Sequence, residues 1–171
     1  IEYLHQLPKS YVGTFRLGAT SDTEDATGEV VELDAPPQPS RDEVAAVLPA
    51  WTGPIEQRPP AYSALKVAGR RAYKLARAGQ SVQLAPRPVT VHRLEIVRYE
   101  YPELVLEIEC SSGTYIRSLG RDVAESLGTG AVMTALVRTA IGPFSLDQAI
   151  SPSVLTRDNV DSHLCPPIGA L

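Results

Sequence analysis

The 171-residue chain is 43% hydrophobic and 21% charged, an ordinary globular balance with enough length for one core and a small appendage. No stretch approaches the ~20 apolar residues that a membrane span needs, and no signal peptide is visible. The net charge of −4 speaks against a polyanionic partner only on average, because residues 58–98 hold nine Lys/Arg against one acid, a local +8 between acidic flanks of −7 and −5. A basic middle of this kind is either the footprint of a polyanion site or a solvated face. Cys110 and Cys165 have no metal-ligand spacing, and His5, His92 and His163 are scattered, so neither a zinc site nor a disulfide framework is expected. A reducing, cytoplasmic setting and a monomeric chain follow as defaults.

In chain order, residues 1–7 read as the end of a helix stopped by Pro8. Tyr11, Phe15 and Leu17 then alternate on one face of a strand. Residues 20–28 form a loop in which Asp22, Glu24 and Asp25 crowd together without an EF-hand pattern, as in a solvated turn. Residues 30–33 resume a strand, and the prolines of 35–39 make an extended linker. Ser40 and Glu43 have capping-box spacing for a short helix that ends near Pro49. Pro59 and Pro60 fix an extended approach that presents Tyr62 and Lys66. A helix is expected over 69–78 with Gly79 as its stop, which places Arg70, Lys74 and Arg77 within a ~60° arc beside Arg71. Such a stripe suits a phosphate backbone.

Residues 89–101 read as a long strand, turned by Pro102 and Glu103 into a second one in which Leu104, Leu106, Ile108 and Cys110 share a face. Ser112 and Gly113 make the next turn, Thr114 stands as the N-cap, and Ile116, Leu119, Val123 and Leu127 recur at helical spacing up to Gly128. Arg117 falls at the border of that apolar stripe. It either snorkels or holds a guanidinium at a pocket wall to orient a carboxylate or phosphate. Residues 131–137 read as another short helix, 141–146 as an extended piece, and Ser151-Pro152 as the start of a last helix. The whole is α+β with a mixed or mainly antiparallel sheet, without internal repeats. Walker, Rossmann, G-x-S-x-G and H-E-x-x-H patterns are absent from the sequence.

Four stretches in this order resemble the TruB family of tRNA pseudouridine synthases, which modify uridine 55 in the T-loop. They are Lys9-Ser10-Tyr11 leading to residues 21–28, residues 57–66 with Gly69 and Tyr73, Ser112 to Arg117, and Leu136 to Thr139 with Gly142-Pro143-Phe144. The resemblance implies the pseudouridine-synthase fold and an isomerisation that needs neither cofactor nor metal. The target uridine is flipped out, an aspartate attacks the nucleoside, the glycosidic bond breaks, the ring turns and a carbon–carbon bond forms. By position, Tyr11 matches the tyrosine that stacks on the target base and helps in proton removal, and Arg117 matches the arginine paired with the nucleophile. Asp25 matches an acidic residue at the RNA-facing rim, and Leu136 an apolar wall of the uridine pocket. Tyr115 belongs either to the pocket or to the core. The implied partner is the T-arm stem-loop of tRNA, with Lys66, Arg70, Lys74 and Arg77 on its backbone.

Departures from the family pattern carry their own expectations. The nucleophilic aspartate belongs in a G-x-x-D-P-x-A-x-G motif upstream of the Lys-x-Tyr strand, and Asp22, Asp25, Asp34 and Asp147 all stand in other contexts. Residues 1–150 are therefore expected to be a partial catalytic domain whose nucleophile lies outside this chain. Residues 151–171 are expected to be a helix and the start of a linker to a further RNA-binding module. Val137 replaces a frequent second arginine and Ser112 a frequent lysine. A non-catalytic RNA-binding or RNA-folding module is the alternative to a synthase.

Overall fold

The computed structural model describes residues 2–67, 70–78 and 84–164. In chain order they form α1 (Glu2–His5), β1 (Lys9–Leu17), β2 (Ala19–Ser21), β3 (Val30–Glu32), α2 (Arg41–Val47), β4 (Gly53–Gln57), β5 (Lys66–Val67), β6 (Arg70–Arg71) and α3 (Ala72–Arg77). Then follow β7 (Arg87–Glu100), β8 (Glu103–Cys110), α4 (Ile116–Ser126), β9 (Ala131–Ile141) and β10 (Phe144–Ser145). Six strands make one sheet in the order β10-β9-β1-β8-β7-β4, and every neighbouring pair in it is antiparallel. Among the described residues the one parallel pairing is an isolated bridge between Asp25 and Met133. The α+β expectation therefore holds, with a sheet that is antiparallel throughout.

One face of the sheet carries the core. Leu104, Leu106, Ile108 and Cys110 of β8 are buried, as their alternation requires, together with Phe15 and Leu17 of β1. They pack against Val44 of α2 and Ile116, Leu119 and Val123 of α4. Each such side chain contributes roughly 1.5–3 kcal/mol relative to exposure. The capping box of α2 forms as expected: Glu43 N donates to Ser40 Oγ at 3.3 Å, and Ser40 N donates to Glu43 Oε2 at 2.7 Å.

α4 comes up against Phe15 of β1 at Gly120. A Cβ there would lie 2.1 Å from Phe15 Cε1, and Phe15 is fully buried. Gly120→Ala gains up to ~1 kcal/mol of helix propensity but overpacks the core. We expect it to lower stability by about 1–3 kcal/mol in urea unfolding, whereas the same change on an exposed helix face is stabilising.

The structure corrects several sequence expectations. Residues 131–137 are not helical but begin β9, which pairs with β1 from Ala131↔Leu17 to Ile141↔Lys9. The apolar spacing at Val132, Met133, Leu136 and Val137 suits either form. What decides is the open edge of β1 and the β-branched residues Val132, Thr134, Val137 and Thr139. The single helix over 69–78 is also absent: Arg70 and Arg71 lie in β6, paired with β5, and the helix begins only at Ala72. Arg70 therefore shares no helical stripe with Lys74. Lys74 is exposed on α3, while Gly69, Gly79, Cys165 and the side chains of Lys66, Arg70 and Arg77 lie outside the described residues. Among the described residues after Ser151 there is no α-helix: the chain makes a 3-10 turn at Pro152–Val154, with Ser153 N donating to Ser151 Oγ, and another at Val160–His163.

Candidate active site

The site is assembled where β8 hands the chain to α4. Gly113 turns the chain at φ 87°, a left-handed conformation that L side chains avoid. Thr114 is not the N-cap, because its Oγ1 is turned back to donate to Ser111 O at 2.9 Å. The cap is Tyr115, in an extended conformation and without a capping side chain of its own. A buried amide holds the cap residue itself. Gln57, 1% exposed at the end of β4, accepts from Tyr115 N at 2.8 Å and donates to Tyr115 O at 3.0 Å. This two-point hold fixes how α4 starts, and so where Arg117 points.

Arg117 meets a loop that is built to receive it. The Arg117 Nη1 donates to Asp25 Oδ2 at 2.6 Å and its Nη2 to Tyr62 O at 2.5 Å. The Asp25 Oδ1 accepts from Thr23 Oγ1 at 2.8 Å, Thr27 N at 3.0 Å and Thr27 Oγ1 at 2.5 Å. Burial raises the Asp25 pKa, but the bonds from Thr27 and Thr23, with Arg117 behind them, outweigh it and hold the carboxyl down at about 2. Asp25 is thus an anion at any ordinary pH, and its Oδ2 is held against Arg117.

The loop is pinned on both sides. Ala26 N donates to Met133 O at 3.0 Å, and Met133 N donates to Glu24 O at 3.1 Å, so a single parallel bridge ties the loop to β9. Glu24 takes the left-handed φ of 64°, a costly conformation for a non-glycine residue that persists only where its surroundings over-determine it. Here they do: Ser118 Oγ donates to Glu24 Oε2 at 2.5 Å, and Arg121 donates to Glu24 Oε1. Arg117, Ser118 and Arg121 therefore present one turn of α4 to residues 24 and 25.

Arg121 is shared among several carboxylates. Its Nη2 also donates to Asp122 Oδ1 at 2.7 Å and to Arg58 O at 2.9 Å. Burial pushes the Asp122 carboxyl up to about 6, against the pull of Arg121 and helped by Glu125 and Glu24. The folded-state value lies above the ordinary 3.8, so the folded protein binds the extra proton. This group's contribution to stability is therefore largest below 3.8 and is lost as pH rises through about 6. We expect the stability of the wild type relative to Asp122→Asn to rise as pH falls through that window, measured by thermal melting at each pH.

Tyr11, Asp25, Tyr115, Arg117 and Leu136 all line one cavity of about 290 Å³, with Thr114, Ile116 and Met133. Those five sequence-derived site residues therefore converge in space. Leu136 is 42% exposed at the cavity wall, on β9 opposite Gly13 of β1. Burial raises the Tyr11 phenol pKa, the neighbouring Cys110 adds to this, and Arg138 across the strand pair opposes it. An aromatic face, an apolar wall and a guanidinium are what a flipped pyrimidine needs for stacking, exclusion of water and charge stabilisation. Sequence reading missed Gln57, Glu24 and Arg121 as the residues that hold this arrangement. The basic residue Lys74 does not line the cavity.

The family model described as TruB family pseudouridylate synthase (N terminal domain) matches residues 1–116, a stretch that includes Tyr11, Asp25 and Tyr115. The chain belongs to the TruB family. It is 47% identical over 155 residues to tRNA pseudouridine synthase B of Arthrobacter sp. (strain FB24), covering 87% of this chain and 51% of that protein. It is 45% identical over 160 residues to tRNA pseudouridine synthase B of Pseudomonas syringae pv. syringae (strain B728a), covering 94% of this chain and 52% of that protein. The chain thus spans about half the length of the curated relatives it matches. Among solved structures it is similar to a crystal structure of a Cbf5-Nop10-Gar1 complex, with a TM-score of 0.63 and 25% identity over 89% of this chain and 36% of that one. An H/ACA RNP bound to a substrate RNA containing 2'-deoxyuridine shares the fold, with a TM-score of 0.58 at 23% identity.

Proposed function

We propose that the protein is a tRNA pseudouridine synthase acting on uridine 55 of the T-loop, with a nucleophilic aspartate supplied from outside residues 1–171. The observation that carries this reading is the convergence of Tyr11, Asp25, Tyr115, Arg117 and Leu136 on one cavity. The flipped uracil stacks on Tyr11 against Leu136, and Arg117 at the cavity wall stabilises the attacking carboxylate as an anion.

Asp25 is a poor candidate for the nucleophile itself. Its Oδ1 takes hydrogen bonds from Thr23 and Thr27, its Oδ2 takes one from Arg117, and its pKa of about 2 leaves it weakly basic. Its role in this reading is to position Arg117. Residues 1–171 alone bind the T-arm and do not turn it over. A second reading, a non-catalytic RNA-binding or RNA-folding module, is favoured by one fact: Arg117 already has a carboxylate partner within this chain.

Binding of a T-arm stem-loop RNA, followed by fluorescence anisotropy across salt concentrations, tests the shared part of both readings. We expect affinity that falls with salt and a loss of about 1–3 kcal/mol on Tyr11→Ala, the worth of one stacked base. Equal affinity for Tyr11→Ala and wild type would rule out a flipped base on Tyr11.

A further inference from the structure

Arg121 stands between two acids that belong to different parts of the protein. Its Nη1 reaches Glu24 Oε1 in the 22–28 loop, while its Nε and Nη2 both go to Asp122 Oδ1, at 2.9 and 2.7 Å. Among the described residues nothing bonds to Asp122 Oδ2. A proton placed on that oxygen leaves Oδ1 free to go on accepting from Arg121.

The charges around this pair are out of balance. Two guanidiniums, Arg121 and Arg58, meet three carboxyls, Glu24, Asp122 and Glu125. Arg58 and Glu125 are exposed and stand 3.8 Å apart, so water screens them. Arg121, Glu24 and Asp122 are largely buried and are left to share one positive charge. Burial leaves the Asp122 carboxyl at about 6 against the pull of Arg121, so its proton comes and goes just below neutrality. Glu125 and Glu24 favour the proton as well.

The other acid controls a loop. Glu24 keeps its φ of 64° because Ser118 and Arg121 hold its carboxyl. Its carbonyl accepts from Met133 N, next to the bond from Ala26 N to Met133 O. With Asp122 neutral, the Arg121 charge is left to Glu24 and the clamp tightens. With Asp122 ionised, one guanidinium is divided between two carboxylates that repel each other, and the clamp slackens.

We infer that Asp122 is a proton-operated switch that sets how firmly α4 holds the Asp25 loop. That loop carries the carboxylate 2.6 Å from Arg117, and with it part of the cavity wall. The functional consequence rests on the synthase reading: a slack loop lets Arg117 leave Asp25 for the nucleophile, and a protonated Asp122 keeps the two paired.

Amide hydrogen exchange in residues 1–171, corrected for the intrinsic rate at each pH, tests the switch without RNA or turnover. From about pH 7.5 down to about pH 5, we expect opening at Ala26 and Met133 to become about three- to tenfold rarer, a modest coupling for residues of one ion-pair network. Both amides should open more often than that of Leu106 in the buried face of β8, the mark of a local event. In Asp122→Asn, neutral throughout, both should open as rarely at the upper pH as the wild type does at the lower. Glu24→Gln should leave both opening equally often across the range, and it decides the matter if Asp122→Asn does not fold. Opening that ignores pH in the wild type, that still follows pH in either variant, or that occurs only together with Leu106 would overturn the switch. None of these results bears on the synthase reading, and a chain that fails to bind the stem-loop overturns that reading while leaving the switch standing.

Discussion

Replacing Arg121 with methionine is expected to lower unfolding stability by about 3–5 kcal/mol, the cost of stranding buried carboxylates. Arg121 and Glu24 are each 12% exposed at the side chain, and Asp122 is 10% exposed. Without the guanidinium, two of these acids lose their cation and Arg58 O loses a donor. Glu24 also loses one of the two bonds that hold its left-handed backbone, so the Asp25 loop loosens along with the fold. Urea unfolding measures the loss. A double change, Arg121→Met with Glu24→Gln, should recover part of it, because the buried charge at residue 24 goes with its partner.

The second large effect concerns chemistry rather than folding. In a chain that also carries the upstream aspartate motif, Arg117→Lys is expected to reduce pseudouridine formation by about 100-fold or more, the scale of removing one preorganised electrostatic donor. Lysine keeps the charge but not the fork that reaches Asp25 Oδ2 and Tyr62 O together. Stability should fall by much less than for Arg121→Met, since Asp25 keeps its bonds from Thr23 and Thr27. A matched loss of stability and activity would make Arg117 a structural residue only.

Much of this arrangement is legible in the sequence, for identifiable reasons. The alternation of Leu104, Leu106, Ile108 and Cys110 is local and clean, and it places β8 correctly. The helical spacing from Ile116 to Val123 likewise places α4, with Arg117 at its border. Tyr11, Asp25 and Leu136 came from motif resemblance, and the fold gathers them at one cavity although 125 positions separate the first from the last. What is not legible is what depends on distant partners. Val132 to Val137 form a strand only because β1 lies beside them. Gln57 looks like any polar residue until it is found buried against Tyr115, 58 positions away. Residue 24 reads as one acid in a crowded turn, yet Ser118 and Arg121 make it a clamp. The capping role passes from Thr114 to Tyr115 because the Thr114 hydroxyl finds Ser111 O first. Arg117, which by resemblance matches an arginine paired with the nucleophile, is paired within this chain with Asp25, whether or not a nucleophile joins it.

Pseudouridine formation on a T-arm stem-loop tests directly whether this fold, given its aspartate, is a synthase. It is followed for residues 1–171 alone and for the same residues joined to an upstream segment carrying G-x-x-D-P-x-A-x-G. We expect turnover at uridine 55 by the joined chain, its loss when the aspartate of that segment becomes asparagine, and none by residues 1–171 alone. Turnover by residues 1–171 alone, or none by the joined chain while it still binds the stem-loop, would contradict it.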